Sequence, residues 1–168
     1  MIQFRNATPD DATALARLGA RSFTETFGHL YDPADLALFL ANHQEETWRD
    51  ELDDPAKSVR VGECDGELVA YAKLTPPKLP FVAEQGSIEL GQFYILKPWH
   101  GTGAARDLMA WVLEKARERF ATALYLSVFT DNHRARRFYL RHGFKPVGTY
   151  AFMVGTHADE DIVMRLEL

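Results

Sequence analysis

A glycine-rich turn between a hydrophobic segment and an amphipathic helix constrains the fold of this 168-residue chain more than any other feature. The residues before the turn, 93–96, are aromatic or branched, as a buried strand requires. The turn itself is Gly101-Thr102-Gly103, and apolar residues then recur at helical spacing as far as Phe120. The pattern predicts a strand that leads through the turn to a helix with one buried face. Backbone N–H groups at such a helix start commonly bind phosphate.

A Gly-x-Gly turn at this position has two other interpretations. It can be only a tight connection between a strand and a helix. It can also belong to a dinucleotide-binding fold, but that fingerprint needs a third glycine, and Arg106 stands where it would be. The sequence therefore disfavours the dinucleotide fold and leaves the tight connection and the phosphate site open.

A second hydrophobic segment, followed by a second helix, supports the phosphate site. Residues 124–128 have the composition of a buried strand. Asn132, with Asp131 before it, is typical of a helix start, and Gly143 is typical of the left-handed residue that follows a helix. Asn132 and Tyr139 are about two helical turns apart, which places them on one face of the predicted helix.

Together these segments resemble the GNAT acetyltransferase superfamily, and the resemblance extends over nearly the whole chain. Residues 100–105 match the Gln/Arg-x-x-Gly-x-Gly/Ala loop of that family, with His100 in place of Gln or Arg. The second helix carries the other matching positions, which are Asn132, Ala135, Phe138, Tyr139, Gly143 and Phe144. Two further runs, at 22–31 and 157–164, are similar to bacterial members that acetylate polyamines.

The resemblance implies a single α+β domain over residues 1–168. Its expected form is a GNAT-like three-layer domain whose central sheet is mixed, mostly antiparallel, and splayed between the fourth and fifth strands. The local patterns fit this architecture. They predict strands near 2–5, 58–63, 67–74, 87–96, 124–128, 145–154 and 161–167, and helices from 8 to 28, from 33, around 45–51, after 103 and over 131–142.

The resemblance also implies acetyl-coenzyme A as the co-substrate, and no metal ion is expected. The turn amides would hold the pyrophosphate, and the strand before the turn would hold the pantetheine arm where the sheet opens. The residues expected to contact the coenzyme are Phe93, Tyr94, Ile95, Gly101, Thr102, Gly103, Ala104, Ala105, Arg106 and Asn132. The arginines between 134 and 141 are either a solvated helix face or a contact to the 3′-phosphate.

Two residues are expected to carry the chemistry of a direct transfer without a covalent enzyme intermediate. Tyr139 matches the position of the family's general acid, with a packed core tyrosine as the alternative. Glu89 is the candidate base, acting through water, because strand alternation places it on the same face as Ile95. Its alternative is a solvated residue at a strand end. Some relatives carry a glutamate five residues before the asparagine, but this chain has Ser127 there.

The acceptor is expected to be a primary amine, with a small polycationic amine favoured over a protein or peptide N-terminus. The formal net charge of −5 disfavours nucleic acid as a partner. Asp32, Asp35 and the acidic run 159–161 could hold a cation, with Phe27 and Tyr31 as apolar walls for its methylenes. The alternative is that these acids are solvated turn residues.

The remaining features set broad expectations about class and location. Cys64 is the only cysteine, and its place beside a hairpin turn predicts a partly exposed thiol in a reducing compartment. No segment has the composition of a signal peptide or a membrane span, so a cytoplasmic protein without membrane contacts is expected. The six histidines lack the spacing of a zinc site. A homodimer is compatible with the sequence, and a non-catalytic coenzyme-binding sensor is the functional alternative from another class.

Overall fold

A computed structural model describes residues 1–41, 44–79 and 84–168, which form alternating blocks of strands and helices. The strands are β1 (Gln3–Asn6), β2 (Ser58–Cys64), β3 (Glu67–Thr75), β4 (Ser87–Ile95), β5 (Ala123–Phe129), β6 (Lys145–Val154) and β7 (His157–Glu167). The helices are α1 (Ala12–Phe27), α2 (Pro33–Leu40), α3 (Glu45–Asp53), α4 (Ala104–Glu118) and α5 (His133–Arg141). Short 3-10 turns stand at Pro9–Asp11, Gly28–Leu30 and Lys97–Trp99.

The strands form one mixed sheet in the order β1-β2-β3-β4-β5-β7-β6. Neighbouring strands are antiparallel except β4 and β5, which are parallel. The parallel pair holds only through residues 87–89 on β4 and residues 123–125 on β5. Beyond these pairs the two strands separate. The predicted mixed sheet, splayed between its fourth and fifth strands, is confirmed.

A β-bulge in β4 determines which side chains face each side of the sheet. The β3–β4 register shifts so that Lys73 pairs with Gln92, whereas Leu74 pairs with Leu90. Gly91 is therefore the extra residue on β4. Glycine is common at such positions because a bulge needs a local bend and leaves little room for a side chain.

The bulge overturns the predicted face of Glu89. Leu90 and Ile95 both pack into the core beneath α4, although an odd number of positions separates them. Glu89 lies on the opposite side of the strand, which Tyr94 also faces. The prediction that alternation places Glu89 on the same face as Ile95 is wrong, because a period of two changes phase at a bulge.

Two hydrophobic cores, one on each face of the sheet, give the expected three layers. On one face α4 buries Leu108, Met109 and Val112. On the other face α1 and α3 contribute Leu15 and Trp48. Each fully buried leucine contributes about 1.5–3 kcal/mol, so a few side chains hold each helix on the sheet. No helix in the described part of the chain is long and apolar enough to cross a membrane.

The observed strands correct two local predictions. β7 begins at His157 rather than near residue 161, so residues 159–161 lie within a strand and not in a turn before it. β2 extends through Cys64, and strand geometry turns this side chain inward. Cys64, predicted to be partly exposed, is buried in the core beneath α1 and α3.

The N-terminus of α1 is fastened to the sheet by a buried carboxylate. Asp11 accepts two hydrogen bonds from the Arg5 guanidinium and one from the Thr8 backbone N–H, all at 2.8 Å. Arg5 also donates to Glu63 of β2 at 2.9 Å. The Arg5 guanidinium lowers the pKa of Asp11. This network ties the start of α1 to β1 and β2.

We expect Asp11→Ala to destabilise the protein by about 1–3 kcal/mol near pH 7, because Arg5 and the Thr8 N–H lose their shared acceptor. Since folding lowers the pKa of Asp11, its contribution is present above the pKa of the unfolded chain and is lost as the pH falls through the folded pKa. The difference from wild type in urea unfolding should therefore shrink between about pH 7 and about pH 3. Asp10→Ala removes the neighbouring exposed acid and serves as the control. An equal difference at both pH values would contradict the assignment.

Candidate active site

The separation of β4 from β5 opens a cavity of about 510 Å³. Its walls come from both strands, the turn before α4, α5 and the end of α1. The predicted site residues that line it are Phe27, Tyr31, Phe93, Tyr94, Ile95, Gly101, Gly103, Ala105, Arg106, Asn132 and Tyr139. Thr102, Ala104 and Glu89 are not among its lining residues. The fold thus brings together most of the residues that the sequence singles out.

The glycine turn presents its backbone to this cavity. Gly101 and Gly103 have φ values of 76° and 94°, in the left-handed region that residues with a Cβ rarely adopt. Gly103 directly precedes α4. The first N–H groups of that helix have no acceptor within the helix and carry partial positive charge. This end of the cavity is suited to phosphate oxygens, as the sequence predicts.

Two side-chain hydrogen bonds brace the turn. The Thr102 hydroxyl donates to the Trp99 carbonyl at 2.8 Å, and His100 Nε2 donates to the Ile95 carbonyl at 2.8 Å. Burial lowers the pKa of His100, which keeps the ring neutral at pH 7. His100 therefore fastens the turn to the end of β4. The Thr102 side chain is engaged within the loop.

Asn132 is the N-cap of α5. Its Oδ1 accepts a hydrogen bond from the Ala135 N–H at 3.3 Å, and the residue also lines the cavity. Arg134 and Arg141 line the cavity as well, whereas Arg136 donates to a backbone carbonyl before the helix at 2.8 Å. The predicted arginine cluster is therefore divided, and Arg134 and Arg141 are the members at the cavity.

Tyr139 is buried at the cavity wall among aromatic rings. The ring centroids of Phe93, Phe138 and Phe144 lie 6.3, 5.6 and 5.7 Å from its own. Its hydroxyl makes no hydrogen bond with the described residues. Burial raises the pKa of Tyr139, because a phenolate would be poorly solvated there. The hydroxyl therefore stays protonated and is available as a donor.

Glu89 anchors the segment after β3 instead of lining the cavity. Its carboxylate accepts hydrogen bonds from the Lys78 N–H at 2.6 Å and the Leu79 N–H at 3.1 Å. The residue is only 8% exposed, so the alternative of a solvated strand end is wrong. The role of Glu89 as a base stays a prediction that this geometry does not favour.

The acidic run in β7 divides between the two faces of the strand. Asp159 and Asp161 are 8% and 5% exposed, whereas Glu160 faces solvent. Asp159 accepts hydrogen bonds from the Tyr31 hydroxyl and from His157 Nε2. Asp161 lines the cavity, and burial raises its pKa to about 7. The alternative that these acids are all solvated turn residues is therefore wrong for Asp159 and Asp161.

The other residues predicted to bind the acceptor have different placements. Phe27 contacts Phe129 edge-on, with 6.1 Å between the ring centroids, and both line the cavity. Asp32 caps the N-terminus of α2. Asp35 accepts two hydrogen bonds from Thr156, each of 2.7 Å. Neither of these two carboxylates belongs to the cavity wall, so both have local structural roles.

Two functional groups at the cavity were missed by the sequence analysis. Gln92 Oε1 is buried and accepts no hydrogen bond from the described residues. The Ser127 hydroxyl lies 3.1 Å from the Tyr150 hydroxyl and interacts with Asp161. The local signal for Gln92 is the neighbouring Gly91, because the bulge there sets the direction of the Gln92 side chain.

Comparisons with known proteins point to the same family as the motifs. An uncharacterized N-acetyltransferase of Mycobacterium tuberculosis is 36% identical over 159 residues, which cover 94% of this chain and 98% of that protein. The solved PaiA N-acetyltransferase of Thermoplasma acidophilum, in complex with coenzyme A, has a TM-score of 0.82 at 17% identity, over 100% of this chain and 99% of that one. A ribosomal-protein-alanine N-acetyltransferase of Brucella melitensis has a TM-score of 0.75 at 26% identity, over 99% of both chains.

A sequence profile of the acetyltransferase (GNAT) family matches residues 20–144. The matched segment contains the opened strand pair, the glycine turn and the helix that carries Tyr139. The chain therefore belongs to the GNAT acetyltransferase family, and it is an N-acetyltransferase.

Proposed function

We propose that this enzyme transfers the acetyl group of acetyl-coenzyme A directly to a primary amine of a small polycationic acceptor. One observation carries the proposal: the wall of a single cavity contains a glycine turn at a helix N-terminus, a buried carboxylate, and a tyrosine whose hydroxyl makes no hydrogen bond with the described residues. The turn suits the phosphates of the donor. The carboxylate suits the ammonium group of the acceptor.

The cavity has a candidate binding region for the pyrophosphate, the pantetheine arm and the 3′-phosphate of acetyl-coenzyme A. Its pyrophosphate is expected at the N-terminus of α4, beside Gly101 and Gly103. Its pantetheine arm contains amides, which pair with an open strand edge as a peptide does. Residues 93–95 offer such an edge, because β5 no longer pairs with β4 there. Arg134 and Arg141 are the candidates for the 3′-phosphate, since both line the cavity.

The chemistry needs a neutral amine, a polarised thioester carbonyl and a proton for the leaving thiolate. Backbone N–H groups at Tyr94 and Ile95 are the candidates that polarise the carbonyl. Tyr139 donates its proton to the sulfur as the C–S bond breaks. A sensor that only bound the coenzyme would not need this hydroxyl, so the two alternatives differ in what Tyr139 does.

The acceptor end of the cavity favours a cation with an apolar body. Asp161 is buried at this wall and forms no ion pair with the described residues, so an ammonium group from outside would compensate its charge. Phe27 and Tyr31 would contact the methylenes. The second candidate acceptor is a protein or peptide N-terminus. It is favoured by the likeness, at 26% identity, to a ribosomal-protein-alanine N-acetyltransferase.

Gly103→Ala tests the phosphate site. A Cβ is strained at the left-handed φ of Gly103, so the turn must move, and we expect acetyl-coenzyme A to bind at least about tenfold more weakly in calorimetry. Gly66→Ala is the matched control, because Gly66 has a φ of 83°, lies in the β2–β3 turn and has no atom within 4 Å of an added Cβ. The control should lose similar stability but keep its affinity. Unchanged affinity in the Gly103 variant would reject the site.

Tyr139→Phe tests the general acid. The substitution removes the proton donor and little volume, so we expect kcat to fall about 10²-fold while the affinity for acetyl-coenzyme A is retained. Tyr71→Phe is the matched control, since Tyr71 is also buried in the opposite core and its hydroxyl has no hydrogen-bond partner among the described residues. Wild-type turnover in the Tyr139 variant would assign the proton to water or to another group.

A panel of amines tests the acceptor class. We expect kcat/KM for spermidine to exceed that for butylamine by about tenfold or more, because a second ammonium gives additional favourable charge interactions. Asp161 compensates one ammonium in both amines, so this preference depends on the second ammonium. Attraction of that ammonium by exposed charges is screened beyond a Debye length of about 8 Å at physiological ionic strength, and the preference should therefore shrink at high salt. Turnover of an alanine-initiated peptide without turnover of spermidine would establish the second candidate instead.

A further inference from the structure

We propose that Asp161 is the base that takes the proton from the ammonium group of the acceptor, and that Gln92 accepts a hydrogen bond from the same nitrogen. The proposal rests on the proposed function, since it assigns roles at the amine end of the same cavity. It transfers the role expected of Glu89 to another carboxylate. Glu89 is held by the backbone N–H groups of Lys78 and Leu79 and does not line the cavity.

Asp161 lies on β7, a strand that pairs with a neighbour on each side. In the strand register it stands opposite Phe129 of β5 on one side and Tyr150 of β6 on the other. It is 5% exposed, and it lines the cavity. A buried carboxylate without a cation is costly, because its charge loses hydration without compensation. The group can avoid this cost by taking up a proton, and a cation that enters the cavity would compensate its charged form.

The groups that face Asp161 are hydroxyls and another acid. They are Tyr31 from the α1–α2 segment, Tyr94 of β4, Ser127 of β5, Tyr150 of β6 and Asp159 of β7. The charge of Glu89 contributes to raising the pKa of Tyr150. Burial raises the pKa of Asp161 to about 7; the Ser127 hydroxyl opposes this effect and Asp159 adds to it. A carboxylate of this pKa can accept a proton from an ammonium group and release it to water near neutral pH.

Gln92 supplies a second, independent indication of a ligand with N–H groups. It pairs with Lys73 in the strand register and lines the same cavity as Asp161. Its Oε1 is buried and receives no hydrogen bond from the described residues. An unsatisfied buried acceptor costs about 1–3 kcal/mol, and an amine nitrogen that donates to it would remove this cost. The reacting nitrogen has enough hydrogens to serve both Asp161 and Gln92.

The proton balance of the reaction follows from these roles. The carboxylate of Asp161 takes one proton from the ammonium group, which becomes a neutral amine. The nitrogen bonds to the thioester carbon, and the C–S bond breaks with its electron pair left on sulfur. Tyr139 gives its proton to that sulfur, and the second proton lost by the nitrogen returns through water to Tyr139. Asp161 then releases its proton to solvent, so each turnover yields the amide, the free thiol and one proton.

Asp161→Asn tests the base directly. We expect kcat/KM of the wild type for spermidine to rise with pH through an inflection near pH 7. In the variant, kcat should fall about 10²-fold near neutral pH and this inflection should disappear. The defect should shrink toward pH 9, where more of the acceptor is already neutral. The Kd of acetyl-coenzyme A should not change. Glu160→Gln is the matched control, since it removes an adjacent acid of β7 that faces solvent, and it should retain the wild-type profile.

A second readout does not depend on activity. Because folding raises the pKa of Asp161, the folded protein binds this proton more tightly than the unfolded chain, so the residue's contribution to stability falls as the pH rises toward about 7. The gain in Tm of Asp161→Asn over wild type should therefore be larger at pH 8 than at pH 5. A gain that does not depend on pH would contradict the buried, cation-free carboxylate on which the proposal depends.

Two further variants separate the roles. Gln92→Met should raise the acceptor KM about tenfold without moving the inflection in kcat/KM, because it removes a hydrogen bond and not the base. Glu89→Gln should lower Tm and leave the inflection in place. Loss of the inflection in Glu89→Gln and its retention in Asp161→Asn would overturn the proposal and restore Glu89. A wild-type protein that acetylates none of the amines would overturn the proposed function itself, and this role with it.

Discussion

The structure depends on a sheet that cannot close. β4 and β5 share only the pairs between residues 87–89 and 123–125, and their backbones then separate. Exposed strand edges bind other peptide-like chains, because unpaired N–H and C=O groups seek partners. Here the opening also lets the glycine turn, α5 and β7 reach one cavity. Without the separation, the turn before α4 would be an ordinary connection and the buried acid of β7 would face a closed sheet.

The bulge at Gly91 determines which side chains of β4 lie on each face of the sheet beside this opening. Phe93 packs with Tyr139 on the α5 side, while Gln92 and Tyr94 belong to the opposite side with Asp161. In the proposed mechanism the donor and the acceptor meet across this strand. Buried hydroxyls, an amide oxygen and a carboxylate lower the stability of a core. Such groups are expected together at a site where activity requires them, even though they reduce the stability of the protein.

The sequence was informative where chemistry is encoded locally. The spacing of apolar residues after Gly103 and the cap at Asn132 predicted α4 and α5, because both signals lie within a few residues. The face of Glu89 was predicted wrongly, since the alternation rule holds only in a regular strand. A glycine inside a strand pattern is a known sign of a bulge, so Gly91 carried the correct signal. The burial of Asp161 was harder to predict, because three consecutive acids are unusual in a strand and the pairing partners lie far away in the chain.

In the proposed mechanism, the buried acid Asp161 affects specificity as well as proton transfer. An uncharged acceptor would leave the charge of Asp161 without compensation, and an anionic acceptor would be repelled by it. An unpaired buried charged group rejects a wrong acceptor more strongly than the loss of an apolar contact does. Any primary ammonium group meets this requirement, so the acid alone does not separate a polyamine from a peptide N-terminus. The atoms bonded next to the reacting nitrogen must separate them. A peptide presents carbonyl groups directly behind its amine, whereas the rings of Phe27 and Tyr31 offer an apolar surface that suits methylenes, and this difference favours the polyamine.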